Sequence, residues 1–502
     1  MRTSSALAAT AAVCAAGLTT AQRVVPVGIK RSEHRLPVPP TLNKRNTYTQ
    51  SLNNNITGAG YYAAVAVGTP PQNLSLVLDT GSSDIWLLST DADLCEDTYD
   101  QRIYGYCLPT YEPDDSSTYK LVDRNGFDIS YVDGTGAQGD YIKDDFYVGG
   151  ASINQLQMGL ATESTIPVGI MGVGFAANEA VYEEDRYPNI MDVFISQDLI
   201  GSRAYSLYLN DYGSSTGSIL FGGIDTEKFI GELTSIDLVT EQGYDEIYSF
   251  TVPLNALSMS INGAQNDSIA LSDPVPVILD SGTTLTYVPS TVVSDIYSAV
   301  GAKYASNYGI SYIDCKYMTS DLEFGFQFGG SDGPTIVVPA DEVVFDTVDT
   351  LEEAGYDTPR GLGFDSDDAC LFGILPNDEY YLLGDTFLRS AYVLYDLDNY
   401  RIAIAQANLN STTSNVIEIT NSSTSLPDVT GVASQVQVTQ TATGLPGVGG
   451  GGLPTVTVTG TASASTSGSA GARAVPAPDW MAAVIAAVTG LGVLAGGMIF
   501  AL

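Results

Sequence analysis

One short pattern occurs twice in this chain and constrains it more than any other feature. Leu76-Val77-Leu78-Asp79-Thr80-Gly81-Ser82-Ser83 is matched 201 positions later, from position 79 to position 280, by Val277-Ile278-Leu279-Asp280-Ser281-Gly282-Thr283-Thr284. In each copy three apolar residues of strand character run into an aspartate, followed by a hydroxyl residue, a glycine and further hydroxyls. An aspartate ending a buried strand is costly unless something pairs with it. Here the glycine permits a tight turn, and the hydroxyls and backbone N–H groups can hydrogen-bond the carboxylate. One Asp-Thr-Gly alone would be an ordinary turn. Two copies with matched approaches, in halves of similar length, point to a duplicated fold. Brought together, the two turns would set their carboxylates so close that both cannot ionise at once, and one proton is then shared.

Such a pair suits peptide hydrolysis with neither a metal nor a histidine, because the ionised aspartate can draw a proton from water while the protonated one polarises the scissile carbonyl. The histidine count agrees: among 502 residues only His34 is present. A Ser-His-Asp triad or a His-built zinc site would have to rest on that one residue. No cofactor and no metal is therefore expected. Charge narrows the partners further. The chain carries 20 Lys+Arg against 58 Asp+Glu, and residues 1–45 hold seven of the basic residues and only one acid, Glu33. The remaining 457 residues are left with 13 basic and 57 acidic side chains. A body that acidic repels phosphate backbones, so nucleic acid is not an expected partner. Low charge density with 51 Gly and 30 Tyr reads as a β-rich secreted protein.

Both ends read as processing and attachment segments. Residues 1–21 carry Arg2, the small and apolar run Ala6–Gly17 and a small-residue finish at Ala21, the pattern of a secretory signal. Residues 22–45 end in the dibasic pair Lys44-Arg45 and read as a propeptide that takes His34 with it. Protease-like lobes are expected at 46–212 and 213–407, and a Ser/Thr/Gly-rich stalk at 408–470 that cannot bury enough to order itself. Residues 471–502 hold a spacer and the apolar run Met481–Leu502; with the small residues Ser467, Gly468 and Ser469 upstream they read as a GPI-attachment signal. Glycosylation acceptors stand at Asn55, Asn73, Asn266, Asn410 and Asn421. With Cys14 lost in the signal, four cysteines remain: Cys95, Cys107, Cys315 and Cys370. Three pairings are possible, and the sequential one keeps each bridge within one half.

Taken together these motifs resemble the pepsin family of aspartic proteases, and more narrowly the fungal GPI-anchored group that includes the yapsins and candidapepsins, over roughly residues 56–407. The resemblance implies an all-β-dominated, bilobal pepsin-like fold: two β-barrel-like lobes with the active-site cleft between them and an extended peptide lying in it as an added strand. Asp79 and Asp280 would be the catalytic dyad. Thr80 and Ser281 would link the two loops, Gly81 and Gly282 would form their turns, and Ser82 and Thr283 would brace the outer carboxylate oxygens. Ile129–Gly136 resembles the flap, with Tyr131 reaching toward Trp86 and the mobile tip at Asp133, Gly134 and Thr135. Val132 departs from the glycine that often follows the flap tyrosine.

Ile170-Met171-Gly172 and Leu382-Leu383-Gly384 match the steps that thread a strand beside each catalytic turn, and Ser218–Asp225 and Gly384–Leu388 extend the likeness. The candidapepsin pattern also implies bridges Cys95–Cys107 and Cys315–Cys370. A monomer acting on protein or peptide substrates in acid is expected, inhibited by pepstatin-type compounds and tied to the membrane outer leaflet through the anchor. The yapsin likeness implies cleavage next to Lys or Arg. Two rival readings are a glycosidase built on the same pair of carboxylates and an inactive binding or cell-wall structural protein on a protease-like scaffold. The second would be expected to have lost an aspartate or a hydroxyl partner, and this sequence keeps them all.

Overall fold

Valine, isoleucine, tyrosine and threonine recur at alternate positions, and the backbone answers with strands whose side chains point in and out by turns. In Thr335-Ile336-Val337-Val338, for example, the two threonine and valine positions are exposed and Ile336 and Val338 are buried. The computed structural model describes residues 23–31, 60–97, 107–214, 216–240, 246–261, 264–269, 271, 273–306, 309–346, 363–364, 368–419 and 429–433. The first 172 residues contribute β1 (Val25–Arg31), β2 (Tyr61–Val67), β3 (Gln72–Asp79), β4 (Ile85–Leu88), β5 (Lys120–Ser130), β6 (Gly136–Val148), β7 (Ala151–Ser164) and β8 (Ile170–Gly172). Next come β9 (Ala204–Tyr208), β10 (Thr216–Phe221), β11 (Gly223–Asp225) and β12 (Phe229–Asp237).

The second half supplies β13 (Thr251–Ile261), β14 (Ala264–Ile269), β15 (Val275–Leu279), β16 (Thr286–Val288), β17 (Lys303–Ala305), β18 (Ile310–Asp314), β19 (Glu323–Phe328) and β20 (Thr335–Pro339). It continues with β21 (Val344–Phe345), β22 (Ala369–Phe372), β23 (Ile374–Pro376), β24 (Leu382–Leu383), β25 (Ala391–Asp396) and β26 (Arg401–Ala407). Two short strands follow, β27 (Val416–Glu418) and β28 (Val429–Val432).

In the first lobe β2, β3, β8, β4, β7 and β6 hydrogen-bond in that order, and β6 pairs back to β2, which closes a six-stranded barrel. From β2 the sheet runs on through β1, β10, β9, β25, β26, β12 and β28, so a single 14-stranded sheet joins the halves. The second lobe adds a sheet in the order β20-β19-β13-β15-β24-β16-β23, with β14 against β13, and a four-stranded sheet β17-β18-β22-β21. This is the expected β-dominated, two-lobed architecture. One buried cluster spans it, taking in Leu78 and Met171 from the first lobe and Leu279 and Leu383 from the second.

The repeat is visible in the pairing. β3 lies parallel to β8 with Asp79 beside Gly172, and β15 lies parallel to β24 with Leu279 beside Leu383. The glycine closing each step is needed for room. A Cβ on Gly172 would stand 2.6 Å from the Asp84 carbonyl oxygen, and one on Gly384 would stand 2.2 Å from that of Thr283. Disulfides join Cys95 to Cys107 and Cys315 to Cys370, across sequence separations of 12 and 55. Loop-closure entropy makes such bridges worth about 3 and 4 kcal/mol.

Two expectations about the ends meet the structure. The stalk was expected to start at 408, but packed backbone continues from Asn408 to Ile419. β27 pairs with β11, β28 lies parallel to β12, and Ile419 and Ala433 are buried. Poverty in apolar residues is no bar here, because the body supplies partners. Asp225 accepts from Ser414 Oγ (2.7 Å) and Asn415 N (2.7 Å), and Lys228 Nζ donates to the carbonyls of Ser411 (2.7 Å) and Thr413 (2.9 Å). Within the expected propeptide, residues 25–31 form β1, an interior strand of the large sheet. Asn73 and Asn410 are exposed, and Asn266 lies in β14. Asn55, Asn421, the signal segment, residues 32–45 and the anchor candidates Ser467, Gly468 and Ser469 lie outside the described residues. Among the described residues no helix is long and apolar enough to cross a membrane.

Adding a Cβ at Gly384 forces backbone apart, so Gly384→Ala is expected to lower stability by about 1–3 kcal/mol in chemical denaturation. Gly28→Ala, where a Cβ meets nothing within 4 Å, is expected to stay within about 0.5 kcal/mol of the parent protein.

Candidate active site

Each apolar strand runs into its aspartate, and the chain then turns sharply. The turn is held by the carboxylate itself. Asp79 Oδ1 accepts from Gly81 N (2.8 Å) and its Oδ2 from Ser82 Oγ. Asp280 repeats this, with Gly282 N on Oδ1 (2.9 Å) and Thr283 Oγ1 on Oδ2 (2.6 Å). The hydroxyl residues between join one loop to the other. Thr80 Oγ1 donates to the Leu279 carbonyl (2.9 Å) and accepts from Ser281 N (2.9 Å). In return Ser281 Oγ donates to the Leu78 carbonyl (2.9 Å) and accepts from Thr80 N (3.2 Å). Thr80 and Ser281 are sealed from solvent, and Asp79 and Asp280 nearly so.

The loops approach so closely that a Cβ on Gly81 would lie 2.6 Å from Asp280 Oδ1, and one on Gly282 would lie 2.4 Å from Asp79 Oδ1. The carboxyl groups themselves are within hydrogen-bonding reach of each other. Burial first, and the Asp280 charge second, push Asp79 up to about 8, against the pull of Ser82 Oγ and Gly81 N. A pair holding one proton offers a base and an acid side by side. That arrangement can activate water and protonate a carbonyl oxygen.

Over this pair hangs the hairpin of β5 and β6. Tyr131 N donates to the Thr135 carbonyl (2.8 Å) and Gly134 N to the Tyr131 carbonyl (3.0 Å), with Gly134 at φ 83°. Asp133 Oδ1 caps the tip by accepting from Thr135 N (2.9 Å) and Thr135 Oγ1 (2.6 Å). Val132 fits this turn without a glycine's φ. Trp86, fully buried on β4, donates its indole N–H to the Tyr131 hydroxyl (2.8 Å). That phenol is held well above its ordinary pKa by burial and then by the Asp79 charge, so it keeps its proton. Among the described residues one group has metal-like spacing, Cys315, Asp346 and Cys370, and its two sulfurs form a disulfide.

The structure adds a buried acid just beyond the first repeated turn. Asp84, two residues beyond Ser82, is fully buried and accepts from Tyr187 Oη (2.6 Å), Tyr141 Oη (3.0 Å) and Ala180 N (2.7 Å). Beside it Glu179 accepts from Tyr187 N (3.0 Å), and Asn178 Nδ2 donates to the Gly81 carbonyl (3.1 Å). The stretch 178–187 is thus fastened to the back of the Asp79 loop. Burial raises Asp84 above the ordinary carboxylate value and pushes Glu179 up to about 9. Nothing in the local sequence separates these acids from the solvated ones around them; only their position in the fold does.

The family model for eukaryotic aspartyl proteases matches residues 60–407. The chain is 40% identical over 432 residues, 84% of each sequence, to a probable aspartic-type endopeptidase opsB of Aspergillus fumigatus. It is 35% identical to barrierpepsin of Saccharomyces cerevisiae over 378 residues, covering 70% of this chain and 61% of the relative. To secreted aspartic protease 8 of Candida albicans it is 33% identical over 373 residues, covering 74% and 81%.

Asp79, Asp84 and Glu179 bind their protons more tightly folded than unfolded, so their contribution to stability is complete below the unfolded carboxylate pKa. It is lost as pH rises toward their folded values, about 8 for Asp79 and about 9 for Glu179. Asp398, held low by its hydrogen bonds from Arg203 and Ser202 despite burial, works oppositely and loses its contribution only as pH falls below the carboxylate range. The melting temperature is therefore expected to peak in mild acid and fall steadily toward neutral pH. Asp84→Asn is expected to flatten part of that fall, and an unchanged profile in differential scanning calorimetry would refute the assignment of Asp84.

Proposed function

Because the chain belongs to the eukaryotic aspartyl protease family and is an aspartic-type endopeptidase, we propose that Asp79 and Asp280 are its catalytic dyad and that it works in acid at the cell surface. The observation that carries this reading is the reciprocal Thr80–Ser281 lock, which holds two buried carboxyl groups against each other. In the reaction the ionised carboxyl takes a proton from a water, whose oxygen adds to the scissile carbonyl carbon. The protonated carboxyl passes its proton to the carbonyl oxygen, giving a tetrahedral diol. Collapse sends a proton to the amide nitrogen as the C–N bond breaks, and the pair again holds one proton. Tyr131, fixed by Trp86, closes the hairpin over the substrate and limits water entry.

Acid lowers the charge of a body with 57 acids to 13 bases. The leader at 1–21 and the apolar tract at 481–502 support a secreted, lipid-anchored enzyme, with processing at Lys44-Arg45. Preference for Lys or Arg beside the scissile bond is supported by the hairpin tip. Asp133 is exposed there, and its charge is within electrostatic reach of Tyr287 and Tyr380 on the other lobe. Those two rings meet edge-on at 5.9 Å between centroids. A carboxylate facing phenol rings is a receptor for an ammonium or guanidinium group.

Hydrolysis of peptides that differ only in the residue before the scissile bond tests both parts. Cleavage is expected to rise from neutral pH into acid, to stop with pepstatin, and to vanish in Asp79→Asn with the fold retained. The Lys-over-Leu ratio is expected to drop about tenfold in Asp133→Asn, the equivalent of about 1.4 kcal/mol. Leu or Phe favoured over Lys in the parent protein would remove the basic preference while leaving the dyad in place.

A further inference from the structure

Two fully buried tyrosines pack onto the chain that enters the Asp280 turn. Tyr205 on β9 and Tyr395 on β25 stand directly opposite each other in the sheet that joins the lobes, with their rings stacked at 4.9 Å and 24°. Phe250 meets both rings edge-on, its centroid 6.2 Å from that of Tyr205 and 4.6 Å from that of Tyr395. The Phe250 carbonyl accepts from Leu279 N (3.3 Å), and the Leu279 carbonyl is the one that Thr80 Oγ1 reaches. The ring pair is thus packed against the backbone that forms the lock. Among the described residues neither phenol hydroxyl has a hydrogen-bond partner, although that of Tyr395 lies against the Thr80 side chain.

A buried hydroxyl without a partner destabilises a fold, and phenylalanine would fill either place without that cost. Packing therefore accounts for the rings and leaves the hydroxyls unexplained. Their surroundings supply a role. The ionisable groups that reach Tyr395 are Asp280 and Asp385, and Tyr205 faces it across the strand pair; those that reach Tyr205 are Asp79, Asp280 and Tyr395. Burial above all holds both phenols well above their ordinary value, so they stay neutral and act only as dipoles. A hydroxyl that is free to turn can aim its hydrogen toward the carboxyl that carries the charge, and in a site closed to water that dipole is weakly screened. From this placement we propose that Tyr205 and Tyr395 are positioning residues of the dyad, whose uncommitted hydroxyls turn toward the ionised carboxyl and, through the Thr80 side chain, stabilise its charge. Help of this kind favours the charged form, so the first proton of the pair leaves at lower pH than it would above two phenylalanines. The inference rests on the reading of Asp79 and Asp280 as the catalytic pair.

The test measures kcat, KM and melting temperature for the full secreted chain, for Tyr205→Phe, Tyr395→Phe and the double variant, and for Asp79→Asn, with one peptide substrate from about pH 2 to about pH 7. Each phenylalanine is expected to leave KM and the melting temperature where they are or to raise the latter. It is expected to move the acid limb of the kcat profile upward by about half a pH unit, a roughly threefold loss of kcat on that limb, with a larger move in the double variant. Tyr208→Phe serves as the contrast. Its hydroxyl is bonded to Asn210 Oδ1 (2.7 Å) and the Asn408 carbonyl (2.8 Å), so it is expected to lower the melting temperature and leave the acid limb in place. An acid limb unmoved in both Tyr205→Phe and Tyr395→Phe would overturn the inference, as would an equal move in Tyr208→Phe. Asp79→Asn as active as the parent would remove the dyad reading and this inference with it, whereas activity lost in Asp79→Asn but unaltered in the phenylalanine variants removes the inference alone.

Discussion

Two buried carboxyl groups pressed together would drive their loops apart, and the crossed hydrogen bonds of Thr80 and Ser281 prevent it. Each hydroxyl donates to a carbonyl of the opposite lobe and accepts the partner's backbone N–H, so four bonds cross the lobe boundary in a space sealed from water. A buried hydrogen bond of this kind contributes about 1 kcal/mol net, and much more is lost if one partner is left unsatisfied. The lock therefore resists dissection: removing either hydroxyl strands groups on both lobes. The threaded glycines, the parallel pairing of β3 with β8 and of β15 with β24, and the sheet running between lobes all serve to bring these four residues into register.

The same site bears on how the molecule responds to pH. Asp79, Asp84 and Glu179 are all buried, and all hold their protons more firmly than they would in water. Two of them, Asp84 and Glu179, take no part in the proposed chemistry. They tie the stretch 178–187 to the Asp79 loop through Tyr141 and Tyr187. A loop fastened by protonated acids is firmest below their raised pKa values.

The ends of the body depart from a simple division into lobes and tails. β1 enters between β2 and β10, and the segment after β26 is strapped down by Asp225 and Lys228 and meets β1 through the Arg23–Glu418 pair. Composition gave no sign of this for residues 408–419, because a Ser/Thr-rich strand at the edge of a body needs hydrogen-bond partners rather than apolar residues of its own. Both segments are held by surfaces distant from them in sequence.

What the sequence by itself determined is the duplicated turn and its consequences: Asp79 and Asp280 as a pair, hydroxyls in bonding positions, a glycine where the turn must tighten, a β-rich two-lobed body, and the Tyr131 hairpin beside Trp86. These are legible because each depends on residue type and short-range order, which a linear pattern records. What only the tertiary structure decided is which of the many acids are buried, which polar segment is strapped to the body, and that a strand with the local look of a leader sits in the middle of a sheet. Burial and pairing of that kind are properties of surfaces assembled from residues such as Asp84 and Tyr187, 103 positions apart in sequence. The energy that fixes them exists only once the chain has closed around them.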